Sequence, residues 1–438
     1  MTALSELATR NAPDVRLPVR HLVVAAGALV LAAALLVPLA PAVLRNPVSA
    51  HGLALTHIVT LGWITLTIMG ASYQMVPVVL GVRLWSERVA RIAFWHYVPG
   101  VLLLVAGFWI FWPPLLVAGG ALAVAGLLAY TYNMTRTLLA VRVWGLHGPF
   151  FAAASGFLAA VGLYGLTLAT NLLHPFLGQG PVDHIVFHLL LGAGGWITLL
   201  AMGVAYKLTP MFALSHGRGE GWGRLVLGLF GGGLLLLIAI LTFDPLPLLV
   251  RVVAVVPLAG VLLFVADQAL YLRARNRRRL DLGLRFTVAA LLYLAAAALL
   301  AWMTLAGWVR VPASSLVLLV LLGWAGCLIT GQMYKIVPFL VWYDRYAGRA
   351  GLEPVPLLRE MYDARRGEAN LWAFAPAAAL LAAGAAWSQP AVSELGAVAL
   401  LAGALLLLGN LLQVLRPRRA RPPRAVGGPR PLRASHAG

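Results

Sequence analysis

Residues 57–77 read HIVTLGWITLTIMGASYQMVP, and the tail of this stretch is written three times in the chain. With Trp63, Trp196 and Trp324 as origins, a glycine precedes each one (Gly62, Gly195, Gly323). A glycine follows seven residues on (Gly70, Gly203, Gly331), a tyrosine ten on (Tyr73, Tyr206, Tyr334) and a proline fourteen on (Pro77, Pro210, Pro338). The origins stand 133 and 128 residues apart, a regularity that marks an internal repeat. The Gly at plus seven is expected to let a neighbouring helix approach closely. The Pro is expected to end or kink its helix.

The medium in which the repeat folds follows from composition. Hydrophobic residues are 61% of 438 and charged residues 11%, which excludes an ordinary soluble domain and points to a polytopic membrane protein. Apolar runs of roughly 20 residues, the length that crosses the hydrocarbon layer, occur at about 21–42, 51–80, 92–112, 115–138, 149–173, 184–213, 223–243, 246–273, 284–308, 313–342, 371–388 and 391–415. The fold class expected is therefore all-α, with twelve transmembrane helices in three pseudo-symmetric four-helix units, about 21–140, 141–275 and 280–415. Residues 1–20 are expected as a cytoplasmic segment without a cleavable signal, and 416–438 as a disordered basic tail on the same side. One cysteine, Cys327, leaves no intramolecular disulfide and no cysteine-rich metal cluster.

The net charge of +19 lies in short loops and the tail rather than on a basic face, so it argues for topology and anionic lipid contact, not nucleic acid. Every second connection is arginine-rich, from Arg83, Arg88 and Arg91 to Arg345, Arg349, Arg359, Arg365 and Arg366. The alternate ones hold only Arg45, Arg251 and Arg310. This bias predicts a prokaryotic inner (plasma) membrane protein with both termini cytoplasmic. Acidic residues are nearly absent from the spans, Asp267 being the main exception. The two lysines, Lys207 and Lys335, lie near inner span ends and are expected to snorkel.

The scaffold repeats, but its histidines do not. Counted from the Trp, the first unit has His51 at minus twelve and His57 at minus six; the second has His184 at minus twelve and His188 at minus eight; the third has Pro312, Leu316 and Leu318 at these places. Intramembrane imidazoles are costly and mark sites. Two helical residues turn about 200° and rise about 3 Å, so His57 and His188 point to opposite sides of equivalent helices at similar depth. Neighbouring helices of a ring face each other with opposite sides, which puts both rings into one gap. That suits two axial imidazoles holding a planar haem. His184, one turn above His188, is a candidate for a propionate or a second metal, and His51 looks into a different gap. His96, His147, His174 and His216 stand at span ends as ordinary interfacial polar residues.

Residues 56–104, THIVTLGWITLTIMGASYQMVPVVLGVRLWSERVARIAFWHYVPGVLLL, resemble the haem-carrying helix of subunit I of haem–copper oxidases and nitric oxide reductases, closest to the cbb-type oxidases. That family has a His-x-His pair before Leu-Gly-Trp, the same Gly, Tyr and Pro offsets, a Leu-Tyr/Trp-Ser loop and a Phe-Trp helix; here these last are 84–86 and 94–95. The resemblance implies twelve spans in three arcs. It places the low-spin haem on His57, with its second axial ligand at the position aligned with His188. The first His of the family pair, which holds the active-site haem, aligns with Leu55, and the chain has no histidine from Gly217 to Ser435 to supply the family's copper ligands.

The expectation is one bis-histidine b-type haem (His57, His188), with Arg45, Arg251 and Arg310 as propionate partners. Its role would be one-electron transfer or small-gas binding rather than full oxygen reduction. A cytochrome c, a cupredoxin or a partner subunit would exchange the electron. Two rivals are a copper- or haem-binding nitric-oxide-stress protein resembling the NnrS family, using His51, His57, His184 and His188, and a haem or small-solute transporter using Lys207 and Lys335.

Overall fold

In lipid every backbone polar group must be bonded within the protein, and for open chains only helices achieve that across the bilayer. The computed structural model describes residues 11–178, 184–216, 218–243, 246–276 and 279–416, and among them twelve helices are long and apolar enough to span. They are α1 Arg16–Arg45, α2 Ala50–Leu80, α3 Glu87–Trp109, α4 Pro113–Leu138, α5 His147–Leu173, α6 His184–Ala213, α7 Gly221–Leu241, α8 Pro247–Arg273, α9 Leu282–Leu305, α10 Ala313–Arg349, α11 Ala364–Ala386 and α12 Pro390–Leu415. The chain is thus an all-α polytopic membrane protein. Helix starts follow their residues: Ser49, Ser86, Asp281 and Asp363 cap α2, α3, α9 and α11 with their side chains, and proline opens α4, α8 and α12.

The starts of α1, α3 and α11 lie five to seven residues before the apolar runs. Helix α1 begins at Arg16, inside the expected N-terminal segment, and α11 begins at Ala364 rather than near 371. Charged residues extend both helices beyond their apolar stretch. Arg20 lies over the Phe94 ring, 4.2 Å from its centroid, and Asp363 accepts from the Arg365 and Arg366 amides. Residues 1–10 and 417–438, which hold half of the expected N-terminal segment and nearly all of the expected tail, lie outside the described residues.

The units close into a ring: α4 packs on α5, α8 on α9 and α12 on α1. Within each unit the repeat glycines seat the first helix on the second. A Cβ on Gly70, Gly203 or Gly331 would stand 2.5 Å from the Cβ of His21, Phe150 or Phe286, respectively. The glycines before the tryptophans face Ala28, Phe157 and Tyr293, each seven residues further along the first helix. Between units the tryptophans interlock. Trp63 packs on Phe374 of the third unit at 5.8 Å between centroids, Trp324 on Phe264 of the second at 5.9 Å, and Trp196 on Tyr130 of the first at 6.2 Å. All three indoles are buried, and Trp196 donates to Thr65 Oγ1 at 3.0 Å.

Each repeat helix widens to π-helix around its tryptophan, over Ile58–Thr65, Leu190–Thr198 and Leu319–Gly326. The register is identical: the amides of Leu66, Leu199 and Cys327 reach the carbonyls of Leu61, Gly194 and Leu322, five residues back. The prolines act unequally. Helices α2 and α6 end three residues after Pro77 and Pro210, in left-handed Gly81 and Leu214, whereas α10 runs on past Pro338 to Arg349. Lys335 Nζ reaches the cap of α9, where it pairs with Asp281 Oδ2 at 2.6 Å, and it lies over Phe212. On the bundle axis the three repeat helices leave an apolar cavity of about 70 Å3, walled by Ile68, Met75, Leu200, Ile329 and Met333 among others.

The fourth helices carry a second repeat. Buried Asn133 on α4 accepts from the Ser86 amide at 3.1 Å and donates to the Ser86 carbonyl at 2.8 Å, and buried Asn410 on α12 does the same to Asp363 at 3.0 and 3.2 Å. Ser86 and Asp363 are the caps of α3 and α11. An Asn133→Leu substitution is expected to leave the Ser86 amide unpaired, at about 1–3 kcal/mol where water does not reach it, and the Ser86 carbonyl with the Ala90 amide alone. Thermal unfolding in detergent should show a clearly lowered midpoint; an unchanged midpoint would contradict the clasp.

Candidate functional site

At the end of the bundle opposite residues 16 and 415, α2 and α6 face each other just before their π-helical turns. There the His57 and His188 rings meet, their centroids 6.2 Å apart and their planes inclined at 33°. Counting from the tryptophans at 100° per residue does not describe this arrangement fully, because the wide turns intervene after His57 and after Leu189. The two rings nevertheless share one gap, as the opposite-side argument expects.

The surroundings define what the rings can do. His57 Nδ1 lies 2.7 Å from the Leu53 carbonyl, so this nitrogen carries the proton and Nε2 keeps its lone pair. The Phe108 ring stacks on His57 at 4.8 Å. Phe108 belongs to a small apolar cluster with Ala54, Leu104, Leu116 and Ala169, which joins α2, α3, α4 and α5 beside the histidine. His188 stands against Gly165 of α5, where an added Cβ would come 2.9 Å from His188 Cε1. His188 Nδ1 is buried and has no hydrogen-bond partner. Both imidazoles are half-buried.

His57 Nε2 and His188 Nδ1 are thus ring nitrogens left over for a ligand, on rings that share one gap. The fixed Nδ1–H of His57 is the outer hydrogen bond that orients an Nε2 ligand.

The other candidates stand apart. His184 is engaged at both nitrogens, with Tyr164 Oη 2.7 Å from Nδ1 and the Gly178 carbonyl 3.1 Å from Nε2. His51 is exposed and packs edge-on to Trp109 at 4.6 Å. Among the described residues no group of three or more His, Cys, Asp or Glu side chains is placed to hold a metal ion. The four candidate histidines therefore do not converge on a common centre. Arg45 is exposed at the end of α1, its Nε on the Pro41 carbonyl at 3.1 Å; Arg251 on α8 and Arg310 before α10 are also exposed.

The sequence analysis passed over His21. It is fully buried, with Nδ1 2.7 Å from the Leu17 carbonyl and Nε2 without a partner, and it packs edge-on to Tyr73 and Phe94. Its signal was available in the register of the first helices, where the other two units have Phe150 and Phe286. No protein-family model matches the chain, and no curated protein matches it.

The Gly165 contact is directly testable. Gly165→Ala is expected to push the His188 ring aside and lower the thermal midpoint. At Gly162, one turn away, an added Cβ meets Leu127 and Val124 only at 3.4 and 3.7 Å, so Gly162→Ala should be neutral or stabilising. Equal midpoints for the two variants would show that His188 does not depend on Gly165.

Proposed function

We propose that the chain binds one b-type haem between His57 and His188, as a divergent relative of oxidase subunit I, and uses it for one-electron transfer or for binding a small gas. The observation that carries this reading is the 6.2 Å centroid separation of two imidazoles brought together from two units, at a place where the third unit has no histidine. The bound haem would supply a reversible one-electron couple at its iron.

The chain's own residues would do the rest. The Leu53 carbonyl holds the His57 tautomer, Phe108 fixes its plane, and Gly165 makes room for the His188 ring. The apolar cluster around Phe108 excludes water from one flank, which tunes the potential of a buried couple. Exposed Arg45, Arg251 and Arg310 offer guanidinium groups to carboxylates or to an electron partner at that end. Arginine asymmetry makes this the outer face and the opposite end cytoplasmic. A copper centre of four histidines is disfavoured, because His51 and His184 are engaged elsewhere. A transport role for the lysines is disfavoured by the pairing of Lys335 with Asp281.

The test is the visible spectrum of the purified protein, oxidised and dithionite-reduced, beside His57→Ala and His188→Ala. A sharp reduced b-type spectrum that either substitution abolishes or turns high-spin is expected. A wild type that stays colourless after incubation with haem would overturn the reading.

A further inference from the structure

The three fourth helices invite a comparison residue by residue. Buried Tyr130, Phe264 and Leu407 are equivalent, each four residues after a glycine that lies against the third helix of its own unit (Gly126, Gly260, Gly403). Three residues on from them stand Asn133, Asp267 and Asn410. The first and third are the amide clasps on Ser86 and Asp363. Asp267 breaks the pattern, because a carboxylate has no hydrogen to give a backbone carbonyl. Instead Asp267 Oδ1 accepts from Arg218 Nε at 3.0 Å, two residues before the cap of α7, Glu220. Asp267 is 4% exposed, and no other carboxylate is buried among the described residues.

The next position departs as well. Met134 and Leu411 are buried apolar side chains, but their equivalent is Gln268, 0% exposed, with both Nε2 and Oε1 unpartnered. Gln268 lies one turn beyond Phe264, the ring on which Tyr206 packs at 5.6 Å, and the buried Tyr206 hydroxyl faces Asp267. A side chain with both polar atoms orphaned, next in the chain to a buried carboxylate, is costly when dry, and about three polar partners are what a buried water requires. The charged and titratable groups that face Asp267 are Arg218 from the α6–α7 loop, Tyr206 from α6 and Tyr271 from its own helix.

We propose that Asp267, Gln268 and Tyr206 form a hydrated, proton-exchanging site in the second unit, at the end of the bundle that carries residues 16 and 415, closed toward solvent by Arg218. Loading transfers one proton from a hydronium ion: an O–H bond of the hydronium breaks, one forms on an Asp267 carboxylate oxygen, and a water is left behind. Arg218 keeps its charge and swings clear on its loop, being 33% exposed. Unloading reverses these steps. Intramembrane carboxylates of this kind are functional by default. The site is independent of the haem reading and requires no cofactor.

Infrared spectroscopy of the purified protein across a pH titration, in H2O and D2O, tests the proposal. A protonated-carboxyl band is expected to grow on acidification and to shift in D2O. It should be lost in Asp267→Asn, which carries the side chain of the other two units, and moved in Gln268→Leu, which carries that of the third. Arg218→Gln removes a neighbouring cation and should raise the pH at which the band titrates. This loop variant keeps the test open even where the helix variants fold poorly. An Asp267→Asn spectrum identical to wild type at every pH, a band indifferent to D2O, or a titration unmoved by Arg218→Gln would overturn the proposal.

Discussion

The interlock of Trp63, Trp196 and Trp324 is the constraint on which the architecture rests. Lipid tails are as apolar as leucine, so helices in a bilayer gain little from hydrophobic burial against one another; close packing must hold them. Each indole crosses into the next unit and lies on an aromatic ring or against a glycine, so no arc can shift without displacing a partner in the ring. The π-helical turns are part of the same device. They set all three tryptophans in one register and fix how α2 and α6 face each other beyond them. The meeting of His57 and His188 is thus inherited from packing that neither histidine makes.

Much of this was legible in the sequence. Twelve apolar runs gave the spans, because hydrocarbon thickness leaves little choice of helix length. The Gly-Trp-Gly-Tyr-Pro spacing gave the threefold plan, because those residues all serve one helix at fixed offsets. Other features were not legible, for physical reasons. A π turn is a backbone event with no required side chain. The engagement of His184 depends on Tyr164, twenty residues away on another helix. The Asn133 and Asn410 clasps were hidden because the loop between α10 and α11 lengthens the third unit. The partner of Lys335, Asp281, lies 54 residues earlier in the chain, and only the fold brings the two together.

Both polar sites arise where one copy of a repeated part departs from the others. The histidine pair lies toward one face of the membrane domain and the Asp267 cluster toward the other. Repetition supplies a stable frame in which the other copies show what the ordinary residue would be. Asn at 133 and 410, and Phe at 150 and 286, are internal references for Asp267 and His21. A chain built this way carries its own control experiment.

The axial cavity has a mechanical meaning. A void of about 70 Å3 amounts to roughly 40 mL/mol, comparable with the whole volume change that accompanies unfolding of many proteins. The seam where the three arcs meet therefore holds volume on which hydrostatic pressure can act. Compression would favour any arrangement that draws the arcs toward their common axis and closes this space.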